Sequence, residues 1–244
     1  KQTITIEAGA NRVLDVPFIA PEKGIFKIAV QISQSGKTLE RDLASFGAWP
    51  KPVSAPRADS FFGHHVHSWS EGMTAQAARL GLAWNRGHNM LQHTWWPRVQ
   101  PEPDTWNWNY GAHRERMQRH KMHVLGQLFG TPYWAAAGGA LPRQEGDAAY
   151  PYGARPNLEA FRKYVFETVK AFPEIRYWEV WNEPEVSMFW NGSPEEFAEL
   201  CRVGYEAIKA ANPKAVVMNA GYTQSAWKWH EETAKFGALR HTDA

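Results

Sequence analysis

Residues 176–221 read RYWEVWNEPEVSMFWNGSPEEFAELCRVGYEAIKAANPKAVVMNAG, and their reading decides the fold class. Tyr177, Trp178, Val180 and Trp181 are strand formers. Ser193, Pro194 and Glu196 then make a helix start, a capping box with proline at the first helical position. Phe197, Leu200, Cys201, Tyr205 and Ile208 fall on one side of the helix that follows. The run AVVMNAG is apolar and β-branched again, a second strand. A strand, a helix and a strand in succession form the crossover unit of a parallel sheet.

The same alternation runs back to about residue 58. SFFGHHVH (60–67) is a first strand, followed by the helical SEGMTAQAARLG (70–81). GLAWNRGH (81–88) is a second strand, and YGAHRERMQRHK (110–121) a helix before the third strand, HVLGQLFGTPYW (123–134). Leu158, Phe161, Val165, Val169 and Phe172 lie on one helical face, and a last helix is expected around SAWKWHEETAKFG (225–237). Five strand–helix units fit either an open five-stranded sheet or the first five units of a (β/α)8 barrel. No glycine-rich phosphate loop follows the first strand, which weakens a nucleotide-binding open sheet.

Upstream, TITIE (3–7), VLDVPFI (13–19), GIFKIAVQIS (24–33) and KTLERDLASFGAW (37–49) read as short strands between Gly, Pro, Asn and Ser punctuation. Residues 1–50 are therefore expected to be a small all-β, sandwich-like module, at about half the length a two-sheet sandwich takes. A proline-rich linker, 51–58, leads to the α/β region, 59–244.

Composition narrows the function classes. Lys and Arg number 27 against 25 Asp and Glu, and they are scattered, so no basic footprint for nucleic acid is present. No apolar run approaches the roughly 20 residues of a membrane span. One cysteine, Cys201, rules out an internal disulfide framework and a Cys-rich zinc site. The start KQTITIE has neither an initiator Met nor a charged-then-apolar signal and reads as a mature or trimmed start. Thirteen tryptophans suit either a Trp-rich core or a protein that stacks flat faces on sugar rings.

In a parallel barrel, functional residues collect at the C-terminal ends of the strands. Those ends carry His64, His65 and His67, then Arg86 and His88, then Thr131, Tyr133 and Trp134, then Asn182 and Glu183, then Asn219 and Tyr222. Glu183 is the candidate for catalysis. A carboxyl at an apolar strand end beside Trp181 and Trp134 loses solvation in its charged form and so is disposed to carry a proton near neutral pH. Asn182 beside it can donate an amide N–H to a substrate hydroxyl. The bland alternative is that Glu183 pairs with an arginine such as Arg86. Glu179, of the same strand parity, reads as one half of a buried structural ion pair. His65 and His67 share a face and could in principle hold a metal, but no H-E-x-x-H helix accompanies them, which disfavours that reading and leaves a purely structural histidine as one alternative. Trp95, Trp96, Trp134 and Trp190 are candidate stacking platforms, with packing an equal alternative for each.

YWEVWNEPE, with GLAWNRGH before it and FGTPYWA between, resembles the clan of retaining (β/α)8-barrel glycoside hydrolases, most closely the β-xylosidase and α-iduronidase group, family 39. WPRVQPEPDTWNW and AIKAANPKAVV are similar to that group's loop after strand two and its run into strand five. The resemblance covers about residues 58–244. It implies a barrel of which the first five β/α units are present, with Glu183 as the acid/base and Asn182 beside it. It also maps Arg86 and His88 onto residues that support the nucleophile and line the sugar subsite, and His65 or His67 onto first-strand residues that contact the sugar as hydroxyl donors. Trp134, Trp181, Tyr222, Trp95 and Trp190 complete the expected substrate site from their positions. The reaction implied is hydrolysis of O-glycosidic bonds in a poly- or oligosaccharide by double displacement, with no cofactor and no metal, in a secreted or periplasmic enzyme. That chemistry needs a second carboxylate, which the family places on strand seven. The expectation is therefore a nucleophile outside this chain, with the rest of the enzyme as a further segment or a partner. Glu185, Glu231 and Glu232 are the alternatives within it. A catalytically incomplete carbohydrate-binding or scaffold protein is the competing reading.

Overall fold

A computed structural model of the chain describes residues 9–10, 13, 17, 19–34, 37–48, 51–57, 59–66, 70–87, 94–141, 153–223 and 226–244. The chain divides into two compact units, Lys1–Pro52 and Val53–Ala244.

In the first unit, β1 (Gly24–Gln34) and β2 (Lys37–Ala48) form an antiparallel two-stranded sheet, in register from Gly24↔Ala48 to Gln34↔Lys37. Phe26 and Phe46 face each other across it, their rings stacked at 5.5 Å. The expected strands at 3–7 and 13–19 lie wholly or largely outside the described residues.

The second unit is an α/β layer structure. Its strands are β3 (Gly63–Val66), β4 (Trp84–Gly87), β5 (His123–Leu128), β6 (Tyr177–Val180) and β7 (Val216–Met218), all parallel and neighbours in chain order. A doubly wound open sheet reverses its strand order at a switch point, whereas a barrel adds each strand beside the last. The observed order is that of a barrel. The helices are α1 (Glu71–Arg79), α2 (Trp96–Val99), α3 (Gly111–Arg119), α4 (Leu158–Ala171), α5 (Pro194–Ala211) and α6 (Trp227–Lys235). Of these, α2 falls in a stretch that reads as loop; the indole of Trp96 stacks on Tyr164 at 4.7 Å and anchors it.

Local chemistry sets the helix starts. The Asn157 carboxamide oxygen accepts the N–H groups of Glu159 and Ala160, and the Ser193/Glu196 capping box at α5 is complete in both directions. Successive strand residues face opposite ways. Leu128, Trp178, Val180 and Val217 are buried among Phe161, Val165, Phe197, Leu200 and Ile208 of α4 and α5. Each such side chain contributes about 1.5–3 kcal/mol on full burial. Gly126 pairs with Trp178 in register and permits this packing, because a Cβ there would lie 2.6 Å from the indole ring. On the opposite face Trp84 meets His123 and Tyr177, and further along the strands stand Arg86, Gln127 and Glu179. After α6 the backbone of Ala244 bonds to Val217 and Asn219 in the pattern of a parallel neighbour of β7. Among the described residues no helix is long and apolar enough to cross a membrane.

Candidate active site at the ends of the central strands

The chain leaves β6 through an uncommon backbone. Trp181 and Glu183, on either side of Asn182, both have left-handed φ values, 74° and 43°. For non-glycine residues each costs about 1–3 kcal/mol, and such strain concentrates at functional sites. Neighbouring strands hold the turn in place. Trp181 N–H donates to the Leu128 carbonyl at 2.9 Å, and Glu183 N–H to the Gly221 carbonyl at 2.7 Å. Asn182 pairs with Gly221 as a parallel bridge that prolongs the β6–β7 register.

The turn separates three consecutive side chains. Trp181 is fully buried: its indole N–H donates to the Phe189 carbonyl, and its ring packs edge-on against Phe129 and Trp190. Asn182 is 1 % exposed. Glu183 is half-buried, and among the described residues none hydrogen-bonds its carboxylate.

A polar network lies beneath Asn182. Arg86, from β4, grips Glu179, from β6, with two donors, Nε to Oε2 at 2.9 Å and Nη2 to Oε1 at 2.5 Å. Gln127 Nε2, from β5, donates to Glu179 Oε1 at 3.1 Å, as does Gly221 N–H. The glutamate is nearly sealed from solvent, 5 % exposed against 19 % for the arginine side chain. A buried carboxylate without its cation would be several kcal/mol worse off, so the four donors are what make this position tolerable. Burial works to lower the Arg86 pKa, but the hydrogen bonds and charge of Glu179, with the charge of Glu183 adding, raise it above the ordinary arginine value. Gly221 admits the pair: a Cβ there would sit 3.0 Å from Arg86 Nη2 and 3.1 Å from Glu179 Oε1. Arg86 thus pairs with Glu179 and not with Glu183, which leaves the Glu183 carboxylate available.

Asn182 joins the same network. Its Oδ1 accepts from Arg86 Nη2 at 2.7 Å and from Gln127 Nε2 at 3.1 Å, while its buried Nδ2 has no partner among the described residues. Both neighbours can only donate there, so the amide oxygen must face them and the N–H₂ must face away. Gln127 and Gly221 escaped the sequence reading. The signal for Gln127 was one uncharged polar residue inside the apolar run HVLGQLF, since a buried amide is costly unless bonded.

The remaining candidates divide. His65, on β3, lies 3.0 Å from Arg86 Nη1 through Nε2 and is exposed. Because a guanidinium only donates, His65 accepts through Nε2 and carries its proton on Nδ1. His64 is on the other face, bonded to Asn85 Nδ2 at 3.0 Å, and burial lowers its pKa. Tyr222, half-buried, reaches Thr233 at 3.4 Å and stacks edge-on with His230, and burial raises its pKa. Asn219 also bonds His230, while the buried Thr131 hydroxyl donates to the Ala154 carbonyl. Trp134 is half-buried, its edge on Trp96 and its N–H on the Gln100 carbonyl. The Tyr133 hydroxyl donates to Glu102. His67 and His88 lie outside the described residues.

Burial corrects three of the four expected stacking platforms, Trp95, Trp96 and Trp190, and the expectation of Trp181 as a wall of the site. Trp181, Trp95, Trp96 and Trp190 are 0 %, 6 %, 0 % and 4 % exposed and belong to the hydrophobic core, so none has a face to offer a sugar. Aromatic density here comes from core packing between the sheet and α2, α4 and α5. The carboxylates suggested as in-chain alternatives for the nucleophile have structural surroundings. Glu185 Oε1 takes Thr223 N–H at 2.5 Å, Glu231 pairs with Lys235 at 3.3 Å along α6, and Glu232 is exposed on that helix. Among the described residues no group of three His, Cys, Asp or Glu could hold a metal ion.

No family model matches the chain, and no curated protein matches it in sequence. Solved structures do. The chain is similar to a family 39 glycoside hydrolase from Bacteroides cellulosilyticus, with TM-score 0.62 and 17 % identity, over 91 % of this chain and 44 % of that one. It is similar to a monomeric β-xylosidase from Caulobacter crescentus, with TM-score 0.55 and 20 % identity, over 76 % and 41 %. The catalytic domain of GH30 xylanase C from Talaromyces cellulolyticus gives TM-score 0.51 and 15 % identity, over 79 % and 53 %. The chain spans less than half the length of the first two. At these identities the likeness establishes the fold: the second unit of this chain is part of a (β/α)8 barrel of the kind found in clan A glycoside hydrolases, several of them of family 39.

Proposed function

We propose that the protein carrying this chain hydrolyses O-glycosidic bonds of an oligo- or polysaccharide with retention, and that Glu183 is its acid/base. The observation that carries this reading is the pairing at the end of β6. A carboxylate not committed to any described residue stands next to an amide whose oxygen is pinned and whose N–H₂ is unspent. A sugar offers what the two lack, a glycosidic oxygen to protonate and a hydroxyl to accept from Asn182.

In the first step Glu183 gives its proton to the leaving oxygen while a second carboxylate, about 5–5.5 Å away, attacks the anomeric carbon and forms a glycosyl-enzyme. In the second step the Glu183 carboxylate takes a proton from water, which attacks the same carbon and releases the nucleophile. Asn182 holds a sugar hydroxyl through both steps. The attacking carboxylate, on this reading, comes from the portion of the barrel that this chain does not span. His65 and Trp134, with Tyr222 at the β7 end, would line the sugar subsite, and Arg86 would support it from below.

Glu183→Gln in the protein carrying this chain tests the assignment with activated aryl glycosides. Their leaving groups need little protonation, so the glycosyl-enzyme forms but water is no longer deprotonated. Turnover is expected to fall about 10²–10⁴-fold. Azide, which needs no base, is expected to restore turnover and give a glycosyl azide. Unchanged hydrolysis would remove Glu183 from the mechanism.

A further inference from the structure

Gln127 has no place in the chemistry just described, yet it is one of the most completely enclosed polar side chains in the molecule. It is 0 % exposed, its Nε2 bridges Glu179 Oε1 and Asn182 Oδ1 at 3.1 Å each, and its Oε1 has no partner among the described residues. With both N–H groups of Nε2 taken by Glu179 and Asn182, it has no donor left for a substrate. It can decide which way Asn182 faces.

We propose that Gln127 is a positioning residue that, from the β5 side, holds the Asn182 amide with its N–H₂ toward the substrate hydroxyl; this rests on the glycosidase reading above. Asn182 Oδ1 takes one hydrogen bond from each side, Arg86 on β4 and Gln127 on β5. The Arg86 nitrogen involved is shared, since Nη2 also serves Glu179 Oε1 at the shorter distance of 2.5 Å. Arg86 alone therefore fixes one direction of the Asn182 oxygen, and the amide is still free to turn about that contact. The second bond removes this freedom. It does so only if residue 127 presents two N–H groups, because its neighbours Glu179 Oε1 and Asn182 Oδ1 are both acceptors. An ionised glutamate would put a second buried negative charge against Glu179, and an aliphatic side chain would leave both acceptors short of a donor. Glutamine meets the requirement without adding charge.

Gln127→Met keeps the approximate shape and removes the donors. The variant is made in the protein carrying this chain, alone and with Asn182→Ala, and assayed on a fully hydroxylated aryl glycoside and its monodeoxy analogues. For the parent substrate, Gln127→Met is expected to lower kcat/KM about 10–100-fold, mainly through kcat. The loss should largely vanish in the Asn182→Ala background, and for the one deoxy substrate that lacks the hydroxyl Asn182 holds. A role in general stability would instead cost the same in every background and on every substrate. A crystal structure of Gln127→Met gives a readout independent of turnover, and there the Asn182 amide is expected to be rotated or split between two orientations. An amide unmoved in that structure, or an undiminished loss in the Asn182→Ala background, overturns the proposal. Unchanged hydrolysis in Glu183→Gln overturns the glycosidase reading instead, and the orientation of the amide still decides what Gln127 does.

Discussion

The two faces of β6 are built on opposite principles within four consecutive residues. Trp178 and Val180 lie in the hydrophobic core, in contact with helices, and their contribution is loss of water-exposed area. Tyr177 and Glu179 look the other way, where Glu179 is held by Arg86, Gln127 and the Gly221 backbone. The helix side is non-directional and tolerant in detail. The other side works only if every donor and acceptor is matched, because an unmatched buried charge costs more than a matched pair returns. That asymmetry suits the polar face to the chemistry proposed above, since rigidity of direction comes from hydrogen bonds, not from area.

Mutations can break this contrast in order of expected size. Arg86→Met should cost about 3–5 kcal/mol in urea unfolding, since it strands Glu179, while adding Glu179→Leu should return much of the loss. If the double variant is as unstable as the single one, the polar face is stabilised by something other than its ion pair. On the helix side, Leu200→Ala should cost about 2–5 kcal/mol through the cavity it leaves, with no second substitution expected to restore it. A cost below about 1 kcal/mol would mean that the core between α5 and the sheet collapses around the gap. The smallest effect belongs to neither face. Ser193→Ala removes one half of the α5 capping box and should lower stability by about 1 kcal/mol with no change in the proposed hydrolysis, because the Ser193 hydroxyl bonds only the Glu196 N–H at the start of the helix. Activity lost with the cap would tie α5 to the site more tightly than its contacts indicate.

Much of this was legible from residue patterns. The capping box at Ser193 is a local arrangement of three side chains, and the helix begins there as expected. The strands β5 to β7 follow from largely apolar runs, β3 and β4 from their place in the strand–helix alternation, and Glu179 as half of a buried ion pair follows from its parity in its strand. What was not legible depended on direction. Trp181 could be read as a wall beside Glu183, but its left-handed φ sends the indole into the core. Trp96 could be read as a platform in a loop, but it starts a short helix and stacks on Tyr164, a residue 68 positions away in the chain. Gln127 carried only a weak signal because its partners come from β6 and the turn after it, more than 50 residues on.

By itself, then, the sequence determined the order and type of the α/β elements, the helix caps, and the coincidence of Asn182 and Glu183 at the end of an apolar strand. These are consequences of short-range preference and of periodicity, both written in neighbouring residues. Tertiary structure alone decided that the strands add in barrel order, that Arg86 takes Glu179 and leaves Glu183 free, and which nitrogen and oxygen of Asn182 face the protein. Each of those outcomes turns on which groups from distant segments arrive within about 3 Å of one another, and hydrogen-bond geometry at that range is not encoded in any one segment.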